Sequence, residues 1–402
     1  MKELISQDSF TTLLLCSYVL PKEKIEKDYK PFSQKEWVNF SIKIAKSSIS
    51  RPSNLFKTNS EHLCSELRIS SDEAERIQVL LSRAPSMALE LEKFTSMGIT
   101  VLTRADKNYP KRLKKVLKTL SPTILYAAGD LEILNSKTIG FVGSRKPSNE
   151  SEIFTLNATK KAVSQGYTIV SGGSKGIDSI AHQVAIESNG KTIAILSDNM
   201  TSFLKKKENL SAILNKQLLV ISPYHPNARF YNYTALDRNK YIYGLSELVI
   251  ITASDYKKGG TWAGAIENFK NSWVSSYVME NEDSVGLKSL QKLGIPCINL
   301  DSLNSIDYTN LFSIEAEKVE ETEKTNIFKL VWPVIENNIH QPTNIKILSK
   351  KLELDINQLN IWLRKAKDLG KVKYIDGEKV ISSTFYNEEL DKDSQLDLFK
   401  DV

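Results

Sequence analysis

Two short glycine-containing segments carry the residue types that could bind an anion. The first is Gly143-Ser144-Arg145, and the second is Ser171-Gly172-Gly173-Ser174-Lys175-Gly176. Each follows an apolar run typical of a strand and leads into a helix-like segment, so each presents free backbone N–H groups and the positive end of a helix dipole. Because Arg145 and Lys175 add fixed cations to the two turns, we interpret the anion as a phosphate.

Two later segments repeat this combination of cation, glycine and hydroxyl. Arg238-Asn239-Lys240 precedes an apolar run at 248–252, and Lys258-Gly259-Gly260-Thr261 follows that run and opens another helix. One such loop is a weak signal, but four on one sheet are much stronger. They favour either a nucleotide pocket or a path for a polynucleotide backbone, with glycine N–H groups on phosphates and Arg and Lys side chains supplying charge. A solvated rim is the alternative interpretation of the cations.

Several side chains next to these loops have a second, structural interpretation. Phe230, Tyr231 and Tyr233 precede Arg238 and could stack on bases without reading sequence, although core or loop packing is the alternative. Asp178 is predicted to cap the helix that begins there rather than to meet a ligand. His182 could touch a phosphate, but a packed or helix-bonded histidine is the favoured interpretation.

The elements that must position the loops alternate between strand and helix. Helical patterns, such as 151–164 and 177–188, separate the predicted strands, which are 138–142, 167–171, 192–196, 218–222, 248–252, 274–279 and 296–299. This alternation predicts an α/β fold with an extended, Rossmann-like, doubly wound parallel sheet. Because such sheets bind ligands at the carboxyl ends of their strands, we expect the four segments to converge there.

The rest of the chain divides by composition. We predict a helical N-terminal domain, a Rossmann-like domain, an acidic linker with seven acids and two bases, a winged helix with a terminal hairpin around Asp376-Gly377, and a disordered acidic tail. Their bounds are 1–100, 101–300, 301–325, 326–385 and 386–402. In the first domain, the start signal Ser70-Ser71-Asp72-Glu73 and the apolar spacing of Ala74, Ile77, Leu81 and Ala84 predict a helix.

Charge and composition favour a soluble protein with a polyanionic partner. The 402 residues carry a net charge of +6, and the acidic linker and tail make the remaining chain more basic than this total. Three widely spaced cysteines without a CxxC pair argue against zinc and disulfides and fit a reducing cytoplasm. No run reaches membrane-spanning length, and no nucleophile, carboxylate or histidine set is spaced for catalysis or metal binding. We therefore expect no enzyme activity, cofactor or metal.

The motifs together resemble the DprA/Smf family over about residues 100–300. The resemblance rests on Tyr109-Pro110, Gly143-Ser144-Arg145, Ser171-Gly172-Gly173, Gly176-Ile177-Asp178 with Ala181-His182, and Arg238-Asn239-Lys240. It implies a dimeric single-stranded-DNA-binding protein that protects incoming DNA and helps load the recombinase RecA, with no established reaction. A winged helix also fits the family's C-terminal domain.

Three stretches depart from the family pattern and indicate a divergent branch. They are Lys258-Gly259-Gly260-Thr261-Trp262, Ser197-Asp198-Asn199, and the segment 221–227. Some divergent relatives look like phage-defence components paired with a toxin, so a defence role and a toxin partner stay open beside recombination and DNA uptake.

Two other functional classes remain as alternatives. Gly259-Gly260-Thr261 with Glu267 on the next helix is similar to the loop of nucleotide phosphoribohydrolases, but the chain lacks that loop's Pro and internal Gly. A regulatory nucleotide-binding sensor is the second form of this alternative. An adaptor or antitoxin, in which the sheet domain mainly binds protein, would leave Arg145 and Lys175 dispensable.

The tail contains a short motif of its own, Gln395-Leu396-Asp397-Leu398-Phe399. It resembles the peptide by which bacterial proteins dock on the DNA polymerase sliding clamp. A disordered acidic tether would present Leu398 and Phe399 to a hydrophobic pocket, with Gln395 hydrogen-bonding beside it. A merely amphipathic chain end is the alternative.

Overall fold

The computed structural model describes residues 5–18, 29–311, 327–375 and 379–383. The chain divides into two compact units, Met1–Phe312 and Ser313–Val402. No helix in the described ranges is both long and apolar enough to cross a bilayer. The predicted clamp motif and most of the predicted linker and tail lie outside the described residues.

In its described residues, the first unit opens with five α-helices. Ser70 caps the predicted helix by accepting from the Glu73 N–H, and the predicted apolar residues Ala74, Ile77 and Leu81 are buried in it. The prediction is wrong for Ala84, which begins the next helix and is half-buried. Ser33 and Glu36 form a reciprocal capping box at another helix start. The helices are α1 (Gln7–Cys16), α2 (Gln34–Lys46), α3 (Ser60–Leu67), α4 (Ser71–Ser82) and α5 (Ala84–Ser96), with a 3-10 helix at Pro52–Lys57.

A nine-stranded sheet follows. Its strands are β1 (Ile99–Thr103), β2 (Ile124–Ala128), β3 (Thr138–Val142), β4 (Thr168–Gly172), β5 (Thr192–Ile195), β6 (Leu218–Ser222), β7 (Leu248–Ile251), β8 (Ser275–Met279) and β9 (Cys297–Ile298). They are ordered β1-β2-β6-β5-β4-β3-β7-β8-β9, and the seven strands from β6 to β9 in this order run parallel. The predicted doubly wound α/β fold is confirmed.

Helices lie between successive strands of the sheet, both parallel and antiparallel. They are α6 (Lys111–Leu117), α7 (Asn149–Ser164), α8 (Ile177–Glu187), α9 (Met200–Leu204), α10 (Lys207–Leu214), α11 (Asn232–Leu245), α12 (Gly259–Asn271) and α13 (Val285–Lys292), with 3-10 turns at Lys118–Leu120, Leu131–Asn135 and Asp301–Asn304. The strand predictions at 138–142 and 218–222 match the structure at both ends, because each is a short apolar run bounded by polar residues.

The N-terminal helices cover one face of the sheet. Alternate residues of β6 show this, because Leu219 and Ile221 belong to one apolar core while Leu218 and Val220 belong to a second core shared with α1 to α5. The antiparallel strands β1 and β2 extend the sheet beneath these helices. The sequence motifs did not predict β1, although Ile99, Thr100 and Val101 form a β-branched run.

The second unit has the element order of a winged helix. Over residues 327–375 and 379–383, three helices surround a core of their own, and a three-stranded antiparallel sheet in the order β10-β12-β11 closes it. The elements are α14 (Ile327–Glu336), β10 (Thr343–Asn344), α15 (Ile345–Lys351), α16 (Ile356–Asp368), β11 (Val372–Ile375) and β12 (Lys379–Ser382). The predicted hairpin is confirmed by the β11–β12 pairing, and its turn lies outside the described residues.

Candidate nucleic-acid interface

A cavity of about 690 Å³ lies where the sheet reverses its winding. The chain leaves β3 toward one side of the sheet and the neighbouring β7 begins the other side, so β3 and β7 flank the switch point of the doubly wound fold. We call this opening the phosphate cavity. Of the predicted site residues, nine line it: Gly143, Ser144, Arg145, Arg238, Asn239, Lys258, Gly259, Gly260 and Thr261.

Close backbone packing shapes the loop after β3. Gly176 has a φ of +81°, and a Cβ atom there would lie 2.3 Å from the Ser144 carbonyl oxygen, so only glycine fits. The Ser144 carbonyl in turn accepts from the Ile177 N–H at 3.2 Å. The loops after β3 and β4 therefore hold each other in place.

The loop after β3 is also tied to α12. The Thr261 hydroxyl donates to the Gly143 carbonyl at 2.9 Å, which joins the first turn of α12 to the end of β3. The Asn239 side-chain amide donates to the Gly260 carbonyl at 2.9 Å and joins α11 to the same turn. These contacts explain why three segments far apart in sequence share one cavity.

The first turns of three helices face this region without a side-chain cap. The residues before α8, α11 and α12 are Gly176, Tyr231 and Lys258, and in the described structure none of them makes a side-chain capping bond. By contrast, Ser148 caps α7 by accepting from the Ser151 N–H. The Ile177 N–H already donates to Ser144, but the other first-turn N–H groups have no capping side chain, and the positive helix-dipole charge there favours a bound anion.

The side chains around the cavity are more basic than acidic. Four cations line it (Arg145, Lys146, Arg238 and Lys258), against two carboxylates (Asp178 and Asp255). Arg145 and Lys258 are exposed, so both can reach a ligand. The excess of positive charge matches the uncapped helix ends and suits one or more phosphate groups.

Residues 100–294 match the model of a known family, the DNA recombination-mediator protein A. This range contains every strand of the parallel sheet except β9 and all the loops that line the phosphate cavity. These residues form a domain of the DprA/Smf family.

Curated relatives match the chain over stretches somewhat shorter than this DprA/Smf domain. DNA processing protein DprA of Bacillus subtilis is 30% identical over 178 residues, which are 44% of this chain and 59% of that protein. Protein Smf of Escherichia coli is 31% identical over 155 residues, which are 38% of this chain and 40% of that protein. The chain thus matches about three fifths or less of the length of these relatives.

A solved structure shares the fold over a longer stretch. The X-ray structure of DNA processing protein A from Streptococcus pneumoniae has a TM-score of 0.55 and 19% identity, and it covers 75% of this chain and 99% of that chain. At this identity the likeness concerns the fold alone.

Two predicted contact residues of the DprA/Smf domain are interior instead. Ser171 is fully buried, and its hydroxyl lies 2.7 Å from the Phe141 carbonyl oxygen. Gly172 ends β4, and the space where its side chain would stand is filled by the guanidinium of Arg238. The prediction of direct phosphate contacts is wrong for Ser171 and Gly172, because both are covered by protein.

Arg238 forms the floor of the phosphate cavity rather than its rim. It is 4% exposed, donates to the Ile195 carbonyl at 2.9 Å, and stands 3.9 Å from the Asp178 carboxylate. Burial lowers the pKa of this guanidinium, and the charge of Asp178 opposes that effect. Arg238 therefore links α11 to β5 and α8 and adds positive charge from beneath.

Four further predicted residues lie outside the cavity lining. Gly173, Lys175 and Gly176 belong to the loop whose Ser174 does line it, and Lys175 is exposed. Lys240 pairs with Asp237 on its own helix, and its ammonium lies 5.1 Å from the ring centre of Tyr241. The structure thus separates Lys240 from the residues that meet at the cavity.

The two structural interpretations beside the loops have different outcomes. His182 packs as favoured, because its ring nitrogens lie 2.6 Å from the Gly172 carbonyl oxygen and 2.6 Å from the Thr192 hydroxyl. The capping prediction for Asp178 is wrong. Asp178 lies inside the first turn of α8 and accepts instead from the Ser174 N–H at 3.3 Å.

The aromatic residues before Arg238 lie on the surface. Arg145 stands over the ring of Phe230 at 5.4 Å from its centre, and Phe230 is 43% exposed. Tyr231 and Tyr233 stack on each other with ring centres 5.4 Å apart and line a second cavity of about 940 Å³. We call this second opening the aromatic cavity. Core packing does not account for these three rings.

The sequence motifs do not predict two buried polar atoms at the phosphate cavity. In the described structure, Nε of Arg238 and the hydroxyl of Tyr243 have no hydrogen-bond partner, and both residues line the cavity. No sequence pattern marks Tyr243 as a site residue, because it occupies an apolar position of α11.

Glu267, the residue behind the phosphoribohydrolase alternative, does not line the phosphate cavity. Burial raises the pKa of its carboxyl group, and the nearby Lys240 opposes this. Across the described ranges, no group of three or more His, Cys, Asp or Glu side chains is placed to hold a metal ion.

Proposed function

We propose that this chain is a non-catalytic protein that binds single-stranded DNA in recombination or DNA uptake. The observation that carries the proposal is the phosphate cavity, where the uncapped first turns of α8, α11 and α12 meet Arg145 and Lys258. Such a site recognises a sugar–phosphate backbone rather than a base sequence. The names of the relatives, DNA processing proteins and a recombination mediator, support the same role.

The finer parts of the proposal come from the family resemblance. They are protection of the bound strand, transfer to a RecA-type recombinase, a homodimeric state and a cytoplasmic location. A phage-defence variant with a toxin partner is a second setting for the same DNA-binding role. Docking on the sliding clamp through Gln395-Leu396-Asp397-Leu398-Phe399 is a separate proposal, which deletion of the tail tests in a clamp pull-down.

A salt titration tests the central proposal. Binding of fluorescent oligo-dT should weaken linearly in log affinity against log salt for the natural protein. Arg145→Ala/Lys258→Ala should bind more weakly, and its slope should be smaller by about 1.4, because each lost phosphate contact on a single strand removes about 0.7.

A matched control separates local from global charge. Lys270 and Lys292 are exposed lysines in the last turns of α12 and α13, away from the first turn of α12 that lines the cavity. Lys270→Ala/Lys292→Ala removes the same charge and should keep the natural slope. Equal slopes for both double variants, or no binding of oligo-dT at low salt, would contradict the proposal.

A small nucleotide is the second candidate ligand. The phosphate cavity has a volume within the range of small-molecule sites, about 300–1,000 Å³. Competition distinguishes the two ligands, because a mononucleotide that displaces oligo-dT at micromolar concentration would favour a nucleotide sensor. Weak, salt-sensitive competition would favour the DNA proposal.

A further inference from the structure

The aromatic cavity lies against a different face of α11 from the phosphate cavity. Tyr233, Asp237 and Tyr241 recur every four residues and line the aromatic cavity. Asn232, Leu236, Asn239 and Tyr243, which line the phosphate cavity, point about 130° away around the same helix. One helix therefore separates two open cavities.

Two distant parts of the chain build the wall of the aromatic cavity. The segment before α11 and α11 itself supply one side, and the N-terminal helical region supplies Tyr18, Phe32 and Gln34 on the other. Aromatic rings dominate this lining. They belong to Tyr18, Phe32, Tyr126, Tyr224, His225, Tyr231, Tyr233 and Tyr241.

The two cavities adjoin each other along residues 230–233. Phe230 contacts Arg145 of the phosphate cavity, and Tyr231 lines the aromatic cavity. Asn232 lines the phosphate cavity, and the next residue, Tyr233, lines the aromatic cavity again. A strand with a phosphate at Arg145 would therefore pass close to the two tyrosines.

We propose that the aromatic cavity binds bases of the same single strand, an inference that rests on the proposed DNA-binding function. The rings of Tyr231 and Tyr233 lie within 22° of parallel and are 49% and 68% exposed, so each has a face open to a base. Every base has a π face, which makes such stacking tolerant of sequence. The exposed Arg229 side chain in the same lining can donate to base edges, whereas Gln34 and Asp237 already bond within the protein.

This inference gives the N-terminal helices a part in binding. They carry no distinctive motif, yet they complete a cavity that the DprA/Smf domain alone would leave open on one side. Tyr18 is exposed at the rim of the aromatic cavity, so its substitution tests whether the N-terminal helices contribute to binding.

The test compares oligo-dT with an oligonucleotide of the same length made of abasic sugar phosphates. The ratio of the two affinities measures what the bases contribute. In Tyr231→Ala/Tyr233→Ala this ratio should fall by about 5- to 150-fold for each base that loses its stacking partner. Tyr18→Ala should lower the ratio less. Tyr231→Phe/Tyr233→Phe keeps the rings and should keep the ratio.

Two controls separate this inference from the proposed function. Phe56 is an exposed aromatic residue outside both cavities, so Phe56→Ala should leave the ratio unchanged. Arg145→Ala/Lys258→Ala should weaken binding of both oligonucleotides alike. A natural ratio in Tyr231→Ala/Tyr233→Ala, with salt-dependent binding intact, would overturn the base-binding inference alone. Failure of the natural protein to bind oligo-dT would overturn both proposals.

Discussion

At the scale of single residues, close packing decides where glycine is required. Gly176 stands against the Ser144 carbonyl oxygen, so a methyl group there would displace the loop that carries Arg145. Gly166 has a similar φ of +80° but nothing within 4 Å of its missing Cβ. The two glycines therefore differ in what surrounds them and not in the sign of φ.

Substitution of these glycines separates backbone strain from displacement of the site. Both Gly176→Ala and Gly166→Ala should lose about 1 kcal/mol or more of unfolding free energy, because L-residues rarely adopt a positive φ. Only Gly176→Ala should also weaken oligo-dT binding, measured by anisotropy on folded protein. Natural affinity in Gly176→Ala would show that the position of Arg145 does not matter.

A buried hydroxyl without a partner gives a second prediction at this scale. Tyr243→Phe removes the hydroxyl that has no hydrogen-bond partner in the described structure, so unfolding in urea should cost the same or slightly more free energy. Tyr308 is the control, since its hydroxyl donates to the Ala158 carbonyl at 3.1 Å. Tyr308→Phe should lose about 0.5–1.5 kcal/mol. Equal losses of unfolding free energy in the two variants would contradict the conclusion that the Tyr243 hydroxyl has no hydrogen-bond partner in the described structure.

At the scale of elements, His182 holds three of them together beneath the site. It belongs to α8, one ring nitrogen donates to the carbonyl of Gly172 at the end of β4, and the other faces Thr192 at the start of β5. Because a carbonyl oxygen only accepts, the neutral ring carries its proton on Nε2. Burial lowers the pKa of His182 from its ordinary value of 6.5, and the bond to Gly172 opposes this.

The sign of this pKa shift predicts a pH dependence. A lowered folded-state pKa means that the unfolded chain takes up the proton first, so the contribution of His182 to stability is complete above pH 6.5 and is lost as the pH falls below that value. The loss should reach at most about 1.4 kcal/mol per pH unit.

His182→Gln checks this expectation, because an amide can still donate to Gly172 but does not titrate. Urea unfolding between pH 7.5 and 5.5 should show a shallower loss of stability in the variant than in the natural protein. Parallel pH profiles would exclude a titrating role for His182.

At the scale of the whole molecule, both cavities belong to the first unit. All the residues that line them lie before residue 312, and the winged helix has a separate core. The first unit also contains the N-terminal helices, whose core is shared with β5 and β6.

Removal of the second unit tests whether the first unit alone binds the DNA strand. A chain that ends at residue 312 should unfold cooperatively and bind oligo-dT with the natural salt slope. A clear reduction in that slope would show that the winged helix also contacts the strand.

Much of this arrangement could be predicted from local sequence. Strands such as 138–142 are short apolar runs between turn residues, and a parallel sheet brings their carboxyl ends to one edge. The sequence therefore predicts that the loops at Arg145 and Lys258 meet at this edge, and both residues line the phosphate cavity. The pairing of β1 with β2 and of β2 with β6 depends on distant partners, and no local motif predicts it.

What the sequence by itself determined is the fold class and the positions of the glycine loops, since both depend on local patterns of polarity and turn residues. The tertiary structure decided which cations face the ligand. Arg238 and Lys240 stand two residues apart on α11, but one lies under Gly172 as the cavity floor and the other pairs with Asp237. Their directions follow from how α11 packs on the sheet, and that packing requires the whole first unit.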